Sequence, residues 1–117
     1  MIKGVGIDTI EIDRIKAAVK RHGDRFLNRI YTPREIEYCR KRKELRFPEL
    51  AARFAAKEAY MKALGTGMNG TPFNSVEVVN DPRGKPLIAL KKKIKPDIHL
   101  SLTHSRNYAS AVVVIEA

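Results

Sequence analysis

Apolar positions along this chain change their rhythm twice. Ile2, Val5 and Ile7, interrupted by Gly4 and Gly6, predict a short buried strand from Met1 to Asp8. Ile12, Ile15 and Val19 then follow helical spacing until Gly23 stops the run. Phe26, Leu27 and Ile30 form a short apolar segment. Thr32-Pro33-Arg34-Glu35 reads as a helix start: Thr32 as N-cap, Pro33 at the first helical position, Glu35 completing a capping box. That helix, with Ile36, Tyr38 and Cys39, runs into the basic cluster Arg40-Lys41-Arg42-Lys43, and Pro48 separates it from a long helix. Beyond Gly67 the pattern becomes that of strands. Val76, Val78 and Val79 precede the turn residues Asn80-Asp81-Pro82-Arg83-Gly84, and Leu87 to Leu90 supply the hairpin partner. Ile98, Leu100 and Leu102 alternate with His99, Ser101 and Thr103. After the polar turn 103–107, Tyr108 to Glu116 forms a last strand whose run from Ala111 to Ile115 is apolar on both faces, as in a strand covered on both sides.

The long helix organises the rest. Its residues from Arg53 to Leu64 are strong helix formers, and Gly65 and Gly67 close it. At ~100° per residue, Leu50, Phe54, Met61 and Leu64 fall on one flank and the alanines 51, 52, 55, 56, 59 and 63 on another. Glu58 and Lys62, one turn apart, sit where these apolar surfaces meet. The spacing also suits an ordinary surface ion pair worth ~0.2–0.5 kcal/mol.

Composition adds mainly charge. Lysine and arginine number 23 against 13 acidic residues, a net charge of +10 in 117 residues. Such a surplus calls for an anionic partner: nucleic acid, a phosphate ligand, an acidic protein or an anionic membrane. On the first helix the outward charge has nearly one sign, with Arg14, Lys16, Lys20 and Arg21, and Arg25 just beyond. The chain has the length of one domain, 1–117, with enough apolar residues for a core. No apolar run approaches a membrane span and no signal-peptide pattern precedes Asp8, so a cytoplasmic setting is expected. Cys39 is the single cysteine, and His22, His99 and His104 lack metal-ligand spacing, which argues against a zinc site.

Two separated carboxylates, Asp8 and Glu58, suit Mg²⁺, which takes oxygen ligands and keeps positions for water and substrate phosphates. Lys62 suits a phosphate oxygen or a proton transfer. Three stretches make the pattern specific: Gly4-Val-Gly-Ile-Asp8-Thr-Ile-Glu-Ile-Asp-Arg14-Ile, Arg53-Phe-Ala-Ala-Lys57-Glu58-Ala-Tyr-Met-Lys62-Ala-Leu-Gly65-Thr-Gly67, and Ser101-Leu-Thr-His104-Ser-Arg-Asn-Tyr108-Ala. Together with Phe26 to Glu35, they closely resemble the short, single-domain holo-acyl-carrier-protein synthases, which are 4′-phosphopantetheinyl transferases. The resemblance runs over nearly the whole chain, and Lys-Glu-Ala-x-x-Lys-Ala with its Gly-x-Gly ending is its most specific part.

The resemblance implies an α+β fold, an antiparallel-rich sheet packed on a long central helix with shorter helices around it. It implies transfer of 4′-phosphopantetheine from coenzyme A to a serine of apo-acyl carrier protein, for fatty acid biosynthesis, with adenosine 3′,5′-bisphosphate as the other product. Asp8 and Glu58 would bind Mg²⁺. Glu58, directly or through a metal-bound water, would take the serine proton, and Lys62 would meet the pyrophosphate. Arg46 and Arg53 would meet the 3′-phosphate, and Gly65, His104 and Ser105 would line the coenzyme A site, although His104 also fits a hydrogen-bonding turn. Arg14, Arg21 and Arg25 would dock the acidic carrier. The resemblance further implies a homotrimer with sites at subunit boundaries. A basic nucleic-acid-binding module is the contrasting expectation. It would need aromatic residues interleaved with the cations for stacking, whereas this chain has no Trp and its Phe and Tyr fall mostly in apolar patterns.

Overall fold

In the computed structural model of the chain, residues 1–65 and 71–117 are described. The order of elements is β1 (Ile2–Glu11), α1 (Ile12–His22), α2 (Asp24–Ile30), α3 (Pro33–Cys39), β2 (Arg40–Lys41), β3 (Glu44–Leu45) and α4 (Phe47–Leu64). A turn of 3-10 helix at Phe73–Ser75 follows, then β4 (Val76–Asn80), β5 (Pro86–Leu90), β6 (Lys93–Ile94), β7 (Ile98–His104) and β8 (Tyr108–Glu116). The strands form two three-stranded sheets, ordered β1-β8-β7 and β4-β5-β6, and β2 and β3 make a separate hairpin. Every pairing is antiparallel. The expected α+β class and central helix are present.

Helix α4 lies across one face of the β1-β8-β7 sheet, and two glycines decide how closely. A Cβ added at Gly6 would sit 1.9 Å from the Ala59 carbonyl oxygen, and one at Gly4 2.0 Å from that of Ala63. The strand therefore rests on helix backbone, and the buried alanines 51, 55, 59 and 63 supply the matching flat face. This reverses the expected burial of β1. Gly4, Gly6, Asp8 and Ile10 face inward, while Ile2, Val5 and Ile7 are 62%, 56% and 63% exposed. Hydropathy singled out the wrong face because glycine carries no apolar signal. Nor does β1 end at Asp8. Its pairing with β8 continues to Glu11–Tyr108, so Asp8 lies within the strand, and Glu11 is the N-cap of α1.

Other elements follow the local chemistry. Thr32 Oγ1 accepts the Glu35 backbone N–H, and the Glu35 side chain accepts that of Thr32, the capping box expected for α3. Pro48 does not separate two helices but lies in the first turn of α4, where a missing N–H costs nothing. Gly65 ends α4 in the left-handed region at φ 78°, and Gly67 lies outside the described residues. Leu64, the last residue of the helix, is 40% exposed and not part of the buried flank. The segment around Phe26 is the helix α2, and the basic cluster 40–43 forms most of a tight hairpin.

Candidate functional site

Register and helix phase bring the first two motifs together. Asp8 sits on the inward face of β1, two residues from Gly6, and so meets α4 one turn before its end. Lys62 Nζ donates to the Asp8 carboxylate at 3.2 Å and to the Ile7 carbonyl at 3.0 Å. Lys62 is thus paired with Asp8 across the strand–helix contact, not simply with Glu58 along the helix. The Asp8 side chain is only 11% exposed, whereas that of Lys62 is 55% exposed. Glu58, half-buried, has its carboxyl pushed above the ordinary glutamate value, first by burial and then by the charge of Asp8. Lys62 and Arg14 pull the other way, which places the first residue of the basic α1 face beside the carboxylates.

Two carboxylates set against the ammonium of Lys62 and the guanidinium of Arg14 can serve a cation and a polyvalent anion at one place. No cluster of three or more His, Cys, Asp or Glu suited to a metal occurs among the described residues. Asp8 and Glu58 fit a hard divalent ion on their chemistry: both offer carboxylate oxygens, and a cation would offset the repulsion of Asp8 and the loss of solvation that disfavour the charge of Glu58. Glu58→Gln removes a charge that burial and Asp8 disfavour, so the metal-free variant should melt no lower than wild type in differential scanning calorimetry. A lower Tm would mean that Glu58 is held by contacts that favour its charged form.

The expected coenzyme A residues lie elsewhere on α4. Arg53 precedes Glu58 by five positions, which turns it ~140° about the helix axis. It is 3% exposed, donates to Asn80 Oδ1 at 2.5 Å, and stacks with its guanidinium carbon 4.1 Å from the Tyr38 ring centre. Its Nε has no hydrogen-bond partner among the described residues. Arg53 is thus a buried floor and not an open surface cation. With His104, Glu49, Asn80, Lys85 and Pro86 it lines a cavity of about 530 Å³. Arg46 packs on the other contact of Tyr38, donates to the Tyr38 carbonyl, and lines a separate hollow with the 41–45 hairpin. His104 ends β7 with Nε2 3.9 Å from Glu49, and the Ser105 N–H donates to the Tyr108 carbonyl at 2.8 Å. Gly65 caps the helix one turn from Lys62. Arg14 and Arg21 are exposed on α1, and Arg25 is exposed on α2. One chain therefore brings Asp8, Glu58, Lys62 and Arg14 together, and Arg53 with His104, on different faces of α4.

Three residues escaped the sequence pattern. Tyr38 and Glu49, which hold the arginines and His104, gave no signal beyond helical spacing. Lys57, inside the most specific motif, is completely buried. Its ammonium donates to Glu35 Oε1 at 2.6 Å, to the Ile30 carbonyl at 2.8 Å and to the Phe73 carbonyl at 3.0 Å. Glu35 Oε2 also accepts the Val78 N–H at 2.9 Å, so one ion pair joins α4, the α2–α3 connection, the 3-10 turn and β4. Burial lowers the affinity of Lys57 for its proton, and Glu35 works against this. Cys39 is also buried, its thiol pushed up to about 11 chiefly by that burial, which leaves it no nucleophilic role.

With this geometry, comparison with known proteins is specific. The model of the 4′-phosphopantetheinyl transferase superfamily matches residues 4–113. A holo-[acyl-carrier-protein] synthase of Halothermothrix orenii is 45% identical over 124 aligned residues, 99% of this chain and 98% of the relative. A Bacillus anthracis holo-(acyl-carrier-protein) synthase, solved in complex with CoA (3′,5′-ADP), superposes with a TM-score of 0.82 at 40% identity, covering 100% of this chain and 98% of that one. A Helicobacter pylori holo-[acyl-carrier-protein] synthase in complex with coenzyme A gives 0.83 at 33% identity over 96% and 99% of the two chains. Sequence and backbone thus agree along almost the whole length, and the chain belongs to the holo-[acyl-carrier-protein] synthase family of the 4′-phosphopantetheinyl transferase superfamily.

Proposed function

We propose that this protein transfers the 4′-phosphopantetheine group of coenzyme A to a serine hydroxyl of apo-acyl carrier protein, releasing adenosine 3′,5′-bisphosphate. The observation that carries this reading is the convergence of Asp8, Glu58 and Lys62 at the β1–α4 contact in a chain that matches the family end to end. The serine oxygen attacks the phosphorus next to the pantetheine arm, and the bond to the nucleotide-side phosphate breaks. Glu58, whose proton affinity burial raises, accepts the serine proton directly or through a water. Lys62, exposed and hinged on Asp8, reaches the oxygen on which charge grows as the nucleotide leaves. Asp8 and Glu58 are the residues that would hold Mg²⁺, which would offset negative charge on the pyrophosphate oxygens. Release of adenosine 3′,5′-bisphosphate in equal amount to the modified carrier tests the reaction. Release without any carrier would make the protein a hydrolase instead.

Coenzyme A must also reach Arg53, His104 and Arg46 if these hold its nucleotide, and they face away from Glu58 within one chain. Sites built across a subunit boundary in a homotrimer resolve this. The outer face of the β1-β8-β7 sheet supports such an assembly: Ile2, Val5 and Ile7 are exposed beside half-buried Val112 and Val114, a contiguous apolar surface of the kind that monomers rarely leave open. Val5→Asp with Ile7→Asp should therefore yield monomers by light scattering and lose most activity. Trimers that survive the double change would place the interface elsewhere.

The basic face formed by Arg14, Arg21 and Arg25 is the proposed dock for the acidic carrier. Arg14 already acts on Glu58, so a carrier held there would bring its serine to the carboxylates. Exposed charge pairs work mainly through encounter and register, and salt screens them. Arg14→Glu with Arg21→Glu should raise the KM for the carrier at least about tenfold, with little change in coenzyme A affinity and a shallower salt dependence. An unchanged carrier KM would move the dock off α1. The reading also places the protein in the cytoplasm, priming carriers for fatty acid biosynthesis. No helix among the described residues is long and apolar enough to cross a membrane.

A further inference from the structure

A cavity of about 630 Å³ opens beside the β4-β5-β6 sheet, walled by the start of α3, the 3-10 turn and the β5–β6 turn. Among the described residues it shares no lining residue with the Arg53–His104 cavity, and none of Asp8, Glu58 or Lys62 borders it. Its size is that of a small-molecule site, ~300–1,000 Å³. The wall is largely apolar, with Pro33 and Ala89, while Arg34, Lys91 and Lys92 bring three cations to it. Glu77 is the one carboxylate present and is already engaged, accepting a hydrogen bond from Thr32 Oγ1 at 2.5 Å with Arg34 at 3.8 Å.

The backbone carries a second, independent observation. Leu90 pairs with Lys93, so Lys91 and Lys92 are the two central residues of a tight hairpin. Both are left-handed, at φ 50° and 66°. Such turns favour Asn-Gly because a side chain in this region crowds the following carbonyl. Two lysines are the wrong residues for the turn and the right ones for the cavity. Strain of this kind gathers where a side chain must face a ligand.

We propose that this cavity binds an anionic amphiphile, with a carboxylate or phosphate head among Lys91, Lys92 and Arg34 and a hydrocarbon body along Pro33 and Ala89. The site stands apart from the transfer reaction. Dodecanoate, dodecyl phosphate, dodecyltrimethylammonium and inorganic phosphate, each below any micelle concentration, are titrated into ¹⁵N-labelled protein, with amide shifts followed at Glu77 and Ala89. Either dodecyl anion should saturate these shifts, the tighter one naming the preferred head. Lys91→Asn with Lys92→Gly should weaken that binding at least tenfold while melting no lower than wild type, because its turn is relaxed. Arg34→Ser, on a different element, should weaken it as well without touching the turn. The proposal is overturned if neither dodecyl anion saturates by about 1 mM, a free energy of ~4 kcal/mol. It is equally overturned if the alkylammonium or inorganic phosphate binds as tightly, or if both variants bind like wild type.

Discussion

Replacing Asp8 or Glu58 by alanine should lower phosphopantetheine transfer at least about 100-fold, the scale of losing one preorganised group at a charged transition state. The fold should survive. Among the described residues Asp8 makes an ion pair with Lys62 alone, and Glu58 carries a charge that its surroundings disfavour. Circular dichroism and Tm should therefore stay near wild type, and Asp8→Ala should free Lys62 from its anchor. Mg²⁺ should raise the Tm of the wild-type protein, as a ligand bound only to the native state does, and the two variants should lose that rise. Variants that turn over normally with normal Mg²⁺ dependence would remove both carboxylates from the chemistry.

Lys57→Met should destabilise the protein by ~3–5 kcal/mol, because Glu35 would be left as a buried charge without its cation. Against a total stability of ~5–15 kcal/mol this is close to unfolding. The loss is larger than for other surface or site changes because the ammonium also satisfies the Ile30 and Phe73 carbonyls. Urea denaturation measures it. Adding Glu35→Gln should restore part of the loss, since the unpaired charge goes while an acceptor for the Thr32 or Val78 N–H remains. A single change costing under ~0.5 kcal/mol would mean that the buried pair contributes nothing net to the fold.

The two residues Lys57 and Glu58 show where sequence pattern stops. They are neighbours in the same motif, and spacing says equally little about both. One turns into the space between α3 and β4 and serves the fold, while the other faces β1 and serves the site. What separates them is tertiary contact ~100° apart around one helix. Features set by local chemistry were legible: the Thr32–Glu35 capping box, the Gly65 stop, the hairpin from Val76 to Leu90 and the alternation of β7. The pairing of Asp8 with the end of α4 was legible only through the resemblance of the motifs, since β1 and α4 are separated by half the chain. The inward face of β1 was misjudged because its signal is the absence of side chains at Gly4 and Gly6. The resemblance offered Arg53 to a phosphate, and only the fold reveals Tyr38 and Asn80 around it.

The central claim is tested most directly by the intact mass of a purified apo-acyl carrier protein after incubation with coenzyme A, Mg²⁺ and this protein. The carrier should gain one phosphopantetheinyl group on a single serine, the gain should vanish with Glu58→Ala, and it should fall as salt rises. A carrier whose mass stays unchanged beside folded wild-type protein, or that gains the group equally with Glu58→Ala, would contradict the account.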